Sequence, residues 1–258
     1  MIKDKIVMRE RILLMGPPGA GKSEQLLNVA SYLEQLGIPM HIIDLEDKLG
    51  AMILNRDDSL SNVELYVALS WNEPKDEKGL KQVTEKILNK IKPESWIGID
   101  RADLAWPMVQ RWFTQQKYAE SLAEKMMEKS KQMTKSSMFT PRFDQGGWQV
   151  INEQYEELMQ SILYRSRCNV ILTTGIKGAE DSNPSDIGRL GVLPRGQKEI
   201  GHQPHSVFLL FQRKVSGGTS WKITTDKDLK KREYFENEEL VDFAIQYLSL
   251  YYTPGAIK

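Results

Sequence analysis

Cysteine, net charge and long apolar runs are all scarce in this sequence, and each shortage excludes something. The single cysteine, Cys168, leaves no partner for an internal disulfide. It sits in the apolar run Cys168-Asn169-Val170-Ile171-Leu172, the setting of a buried, inert thiol. Such usage suits a reducing compartment. Lysine plus arginine (35) balance aspartate plus glutamate (35), which excludes a globally basic nucleic-acid binder but leaves room for local basic patches. No stretch approaches the ~20 apolar residues of a membrane-spanning helix. The charged start Met1-Ile2-Lys3-Asp4-Lys5 leads into too short an apolar stretch for a signal peptide. A soluble, cytoplasmic protein is expected. His202 and His205, with no cysteine nearby, make a poor zinc site and are expected to serve the loop they lie in.

What is present is an alternation of apolar strands and amphipathic helices, in a chain long enough to bury a sizeable core. Strands are expected at Ile12 to Met15, Met40 to Leu45, Val63 to Leu69, Trp96 to Ile99 and Val170 to Thr174. Between them, Leu26, Leu27, Ala30 and Leu33 share a helical face that Gly37-Ile38-Pro39 ends. Leu80, Val83, Ile87 and Ile91 mark a helix ended by Pro93. Further helices are expected from Leu104 to about Tyr118 and from Trp148 to Ile162. A polar, basic, methionine-rich insert separates these two, at about 119–147. Residues 175–204, glycine- and proline-rich without periodicity, read as a long loop. Ser206 to Phe211 and Ser220 to Thr225 are expected strands joined at Gly217-Gly218, and Glu239 to Tyr251 a closing helix. The pattern predicts one α/β domain over 1–258: a largely parallel sheet covered by helices on both faces, with a β-rich carboxyl-terminal part.

The most informative segment is Gly16-Pro17-Pro18-Gly19-Ala20-Gly21-Lys22-Ser23, a complete Walker A phosphate loop between an apolar strand and a helix. Glycines let backbone amides turn inward around phosphate oxygens, and the new helix aims its free amides and positive dipole end at the same anion. Lys22 reaches the β- and γ-phosphates, and the Ser23 hydroxyl suits magnesium. The residues expected at the nucleotide are Gly16, Pro17, Pro18, Gly19, Ala20, Gly21, Lys22, Ser23 and Glu24. The expected cofactors are ATP and Mg2+. No Asn-Lys-x-Asp guanine signature is present, which argues against a GTPase.

A second metal anchor is expected at the end of a nearby buried strand, and Asp100 after Trp96-Ile97-Gly98-Ile99 fits. Ser23 and Asp100 are thus the expected metal residues. Asp103, three residues on, is either a helix N-cap or a reserve carboxylate. The position after Asp100, where many P-loop ATPases carry a glutamate, is Arg101. The alternative carboxylate for activating water is Glu46, at the end of His41-Ile42-Ile43-Asp44-Leu45-Glu46-Asp47.

A strand ending in Asp-x-Glu directly after the P-loop helix resembles the RecA family, residue by residue at Gly16, Gly21, Lys22, Ser23, Asp44, Glu46 and Asp100. The compact size, and the Trp148 helix leading to Asn169-Val170-Ile171-Leu172-Thr173-Thr174, are similar to phage-encoded single-domain ATPases. Some of these are associated with single-strand annealing and recombination. The resemblance implies that Glu46 activates water. It also implies that the Val170–Thr174 strand lies between the strands of Gly16 and Asp100. Its tip, Thr174 in preference to Thr173, is then expected to sense the γ-phosphate. The catalytic set is therefore Glu46, Lys22 and Thr174.

The resemblance further implies that residues 175–204, with Arg189 and Arg195-Gly196-Gln197-Lys198, contact single-stranded DNA. It implies a ring or filament of identical subunits in which a cation from the carboxyl-terminal region completes a neighbour's site, with Arg213, Lys214, Lys227 and Lys230 as candidates. If phage-encoded, the protein works in the host cytoplasm. Two other readings stand beside this one: a small-molecule kinase using the 117–142 insert as a lid, and a nucleotide-switched assembly or packaging component.

Overall fold

A computed structural model describes residues 9–73, 77–118, 143–178, 190–216, 218–229 and 235–252, with single positions at 121, 124 and 127. The insert therefore lies largely outside the described residues, as do Arg189, Gly217 and Lys230.

Strand β1 (Arg11–Met15) enters the phosphate loop, and helix α1 (Lys22–Gln35) leaves it. Next come β2 (Met40–Asp44), α2 (Leu49–Leu54), β3 (Val63–Val67), α3 (Leu80–Leu88) and β4 (Trp96–Asp100). A 3-10 turn, Ala102–Leu104, opens α4 (Ala105–Tyr118), and α5 (Gln145–Gln160) runs on into a π-helical turn, Ser161–Arg165. Then follow β5 (Asn169–Thr174), β6 (Ile176–Gly178), β7 (Val192–Pro194), β8 (Ser206–Val215), β9 (Gly218–Asp228) and β10 (Glu238–Glu239). A π-helical turn, Ala244–Leu248, and a short helix, Ser249–Tyr251, close the described chain. Among the described residues no helix is long and apolar enough to cross a membrane.

Eight of the ten described strands form one sheet in the order β10-β9-β8-β1-β5-β4-β2-β3. The six strands from β8 to β3 run parallel. Within this sheet the β8–β9 and β9–β10 pairings are antiparallel. Strand β5 lies between β1 and β4, which brings the ends of the Gly16 strand and the Asp100 strand to one edge of the sheet. The mostly parallel sheet, flanked by helices and ending in antiparallel strands, is the expected class.

Alternation explains why both faces are covered. Ile12 and Leu14 point to one side of β1, Leu13 and Met15 to the other, and all four are fully buried. The first side packs on α1 and on Phe243, Tyr247 and Leu248 near the carboxyl end. The second side packs on α3, α4 and α5 through residues such as Val83, Val109 and Ile151. Each such fully buried apolar side chain contributes about 1.5–3 kcal/mol relative to leaving it in water.

Four elements depart from the sequence expectation. Helix α2 follows from no periodic signal. It exists because the Asp44 carboxylate accepts the amides of Lys48 (2.7 Å) and Leu49 (2.6 Å), capping it from the preceding strand. The 175–204 loop is not structureless: β6 and β7 pair antiparallel, and Lys198–Gly201 forms a 3-10 turn. Helix α5 begins at Gln145, inside the expected insert, because Asp144 Oδ1 caps it by accepting the Gly147 amide at 2.6 Å. The closing helix does not begin at Glu239. Glu238 and Glu239 pair with β9, and Asp242 Oδ1 caps the turn by accepting the amides of Ala244 and Ile245.

Candidate functional site

The phosphate loop crosses the carboxyl edge of the parallel sheet, where ligands lie in open α/β folds. Its shape is set by packing as well as by sequence. A Cβ on Gly16 would stand 2.2 Å from the Leu210 carbonyl oxygen of β8, so only glycine permits this approach. Gly21 has φ +83° and supplies the left-handed residue that starts α1. From outside, Gln212 Nε2 donates to the Gly19 carbonyl oxygen at 2.7 Å and Trp221 Nε1 to the same oxygen at 3.3 Å. The β8–β9 hairpin thus braces the loop, a contact that no sequence signal announces. The amides of Lys22, Ser23 and Glu24 open α1 without intrahelical partners, leaving them available to an anion with the helix dipole behind them.

A cleft of about 480 Å³ opens at this loop. Gly16, Pro18, Gly19, Gly21, Lys22, Ser23 and Glu24 line one side, and Glu46, Lys48, Arg101, Gly175 and Arg195 stand across from them. Lys22 Nζ donates to the carbonyl oxygens of Gly16 and Pro17, both at 2.9 Å. Burial, helped by the neighbouring Arg101 charge, pulls Lys22 below the ordinary ammonium range. Glu24 keeps its amide at the helix start, while its carboxylate pairs with Arg56.

Asp100 is fully buried. Ser23 Oγ lies 3.0 Å from each of its carboxylate oxygens, and Thr173 Oγ1 donates to Oδ1 at 2.6 Å. The two expected metal residues therefore meet at the cleft floor. Among the described residues no group of three or more His, Cys, Asp or Glu side chains could hold a metal ion by itself. Magnesium bound with a nucleotide asks for less: one or two protein oxygens, the rest coming from phosphate and water. A serine hydroxyl touching a buried carboxylate beside an anion cradle fits that requirement.

The tip of β5 divides two tasks. Thr173 touches Asp100 and also accepts the Arg101 amide at 2.8 Å. The Thr174 hydroxyl lies 2.9 Å from the carbonyl oxygens of both Gly175 and Arg195. It thereby ties down the loop end that carries the Arg195 side chain into the cleft. Arg195, expected from sequence at a DNA contact, lines the cleft at the phosphate loop.

Glu46 stands at the cleft with both carboxylate oxygens engaged, one by Arg101 Nη1 and the other by Lys48 Nζ. Arg101 adopts the left-handed region (φ 63°) and also grips Asp103 through two 3.0 Å bonds. That bidentate pairing holds its guanidinium above the ordinary range, against the opposing effect of burial. The sequence showed only that a glutamate is missing after Asp100. That Arg101 links Glu46 to Asp103 depends on strands β2 and β4 lying side by side.

Asp44, on the strand the resemblance rests on, has a structural task. Besides capping α2, its Oδ1 accepts the Glu46 amide at 2.9 Å, so one buried carboxylate holds three amides of the connection from β2 to α2. Asp44→Ala is expected to cost about 2–4 kcal/mol by leaving these amides without their charged acceptor. Chemical denaturation measures this as a lower midpoint at unchanged slope. A loss under about 1 kcal/mol would mean that the loop holds its shape without this carboxylate.

His205 Nε2 lies 3.0 Å from Arg11 Nη1, at the start of β1 and away from the cleft. Of the cations expected to act in trans, Arg213 and Lys214 are exposed at the far end of β8, whereas Lys227 Nζ donates to the His202 and Pro204 carbonyl oxygens. Cys168 is buried, and burial pushes its thiol up to about 11, in keeping with an inert side chain.

No protein-family model and no curated protein sequence matches this chain. Among solved structures, the chain is similar to a RadB recombinase, with a TM-score of 0.48 and 12% identity over 89% of this chain and 84% of that one. It is also similar to a KaiC-like protein from the hyperthermophilic archaeon Pyrococcus horikoshii, with a TM-score of 0.46 and 13% identity over 88% of this chain and 83% of that one.

Proposed function

We propose that this protein is a magnesium-dependent ATPase of RecA-like design that acts on single-stranded DNA, in recombination, annealing or replication, as an assembly of identical subunits. The observation that carries the ATPase reading is the Ser23–Asp100 contact at the floor of a complete phosphate loop. It joins an anion cradle and a buried metal carboxylate across two strands that the sequence keeps far apart.

Within this reading the loop amides and Lys22 hold the β- and γ-phosphates. Ser23 and Asp100 hold magnesium, which when bound would neutralise charge on those phosphate oxygens. Glu46 takes a proton from the attacking water. It meets that water with each oxygen engaged by one cation, and release of either cation clears its approach. Arg195, anchored through Thr174, adds a positive charge on the far side of the cleft, and through it Thr174 responds to the γ-phosphate.

The DNA half of the proposal is supported by the sequence resemblance and by the cations at the exposed end of the β8–β9 hairpin. Arg213 or Lys214 is the proposed donor to a neighbouring subunit. The deciding experiment measures ATP hydrolysis alone and with single-stranded DNA, duplex DNA or RNA. Stimulation by single-stranded DNA above the other two is expected. ADP release that depends instead on a small hydroxyl-bearing acceptor would establish a kinase. Slow turnover indifferent to every nucleic acid, with size changing on ATP addition, would establish an assembly component.

A further inference from the structure

The short turn from β2 to α2 carries a lysine into the midst of the cleft's carboxylates. Lys48 Nζ donates to Glu46 and lies 3.6 Å from Asp100 Oδ2. Hydroxyl groups of Ser23 and Thr173 donate hydrogen bonds to the Asp100 carboxylate but bring no positive charge to it. Among the described residues Lys48 is the one cation within ion-pair distance of Asp100. Its backbone is fixed, since the Lys48 amide is bonded to Asp44 and the preceding Asp47 sits in the left-handed region at φ 56°. Its side chain is 40% exposed, so the stem has room to swing without moving that backbone. Against the opposing effect of burial, the Glu46 and Asp100 carboxylates hold the ammonium above its ordinary range.

We propose that Lys48 is a positioning residue acting as a tethered counter-ion. Its ammonium balances Asp100 and Glu46 while the cleft is free, and withdraws when a magnesium nucleotide brings a stronger cation to the Asp100 carboxylate. The inference rests on the reading that Ser23 and Asp100 hold magnesium. Two cations then compete for the Asp100 carboxylate, so each weakens the other by the same factor. Withdrawal of Lys48 also frees one Glu46 oxygen, which couples arrival of the metal to exposure of the base.

The experiment uses the full chain, a fluorescent ATP analogue and a magnesium titration, comparing wild type with Lys48→Met and Lys48→Arg. The half-saturating magnesium concentration is expected to fall about tenfold in Lys48→Met and to stay near wild type in Lys48→Arg. Thermal unfolding supplies an independent reading. Lys48→Met is expected to melt below wild type in metal chelator without nucleotide, and to recover most of the difference when magnesium and the ATP analogue are added together. Magnesium-dependent analogue binding with the same half-saturation in wild type and Lys48→Met overturns the inference and leaves the nucleotide site intact. A higher magnesium requirement in Lys48→Met overturns it too, since Lys48 would then assist the metal rather than oppose it. A wild-type chain that binds no analogue at all removes the nucleotide reading and this inference together.

Discussion

Lys22→Ala is expected to lower ATP hydrolysis by ~10³-fold or more, a loss of about 4 kcal/mol of transition-state stabilisation. The size of the effect follows from where the ammonium sits. Its nitrogen is held by two loop carbonyl oxygens at 2.9 Å, inside the cleft, where water screens it little. Those carbonyls belong to Gly16 and Pro17, so the lysine also helps to set the curvature of the loop it serves. Alanine removes the charge and the brace together. Steady-state phosphate release measures the first loss, and affinity for a fluorescent ATP analogue measures the second. Turnover at the wild-type rate in Lys22→Ala would remove the assignment of this cleft as the site of hydrolysis.

Glu46→Gln is expected to keep nucleotide binding and slow single-turnover hydrolysis by ~10²-fold or more. The change preserves shape while removing basicity. It also weakens the grip of Arg101 and Lys48, each of which loses a charged partner. Analogue affinity should therefore hold steady or rise slightly, because both cations become freer to meet phosphate. Unchanged turnover would transfer the role to another carboxylate. Asp103 is the reserve, but its two oxygens are locked by Arg101 in bidentate fashion and its side chain is fully buried. An Asp103 base would need Arg101 to leave, so Arg101→Ala would then speed hydrolysis rather than slow it.

What could be read in the sequence, and what could not, divides along the length scale of the interaction. The phosphate loop is contiguous, so Gly16 to Ser23 announce both its shape and its chemistry. The strand ending at Asp100 is a short apolar run closed by an acid, and its burial follows from that pattern. The helices α1, α3, α4 and α5 show themselves through helical spacing of apolar residues. Helix α2 does not, because six residues held by one carboxylate carry too little periodicity to be seen. Two-residue β10 is invisible for the same reason, and its pairing with β9 displaces the expected helix start. The contacts that set the electrostatics of the cleft join residues far apart in the chain: Arg101 with Glu46, Arg195 with the end of β5, Trp221 with Gly19. Composition contains no record of such pairings. Arg195 illustrates the limit: its charge was visible, and its direction was not.

The outside bracing of Gly19 has a thermodynamic meaning. A glycine-rich bend left to itself would sample many shapes, and a ligand would have to select one of them at its own expense. Here the Leu210 backbone of β8 closes on the bend at Gly16, and side chains of β8 and β9 pin the Gly19 carbonyl. The conformational freedom is surrendered when the sheet forms, long before any anion arrives, so an incoming polyphosphate meets amides already aimed at it.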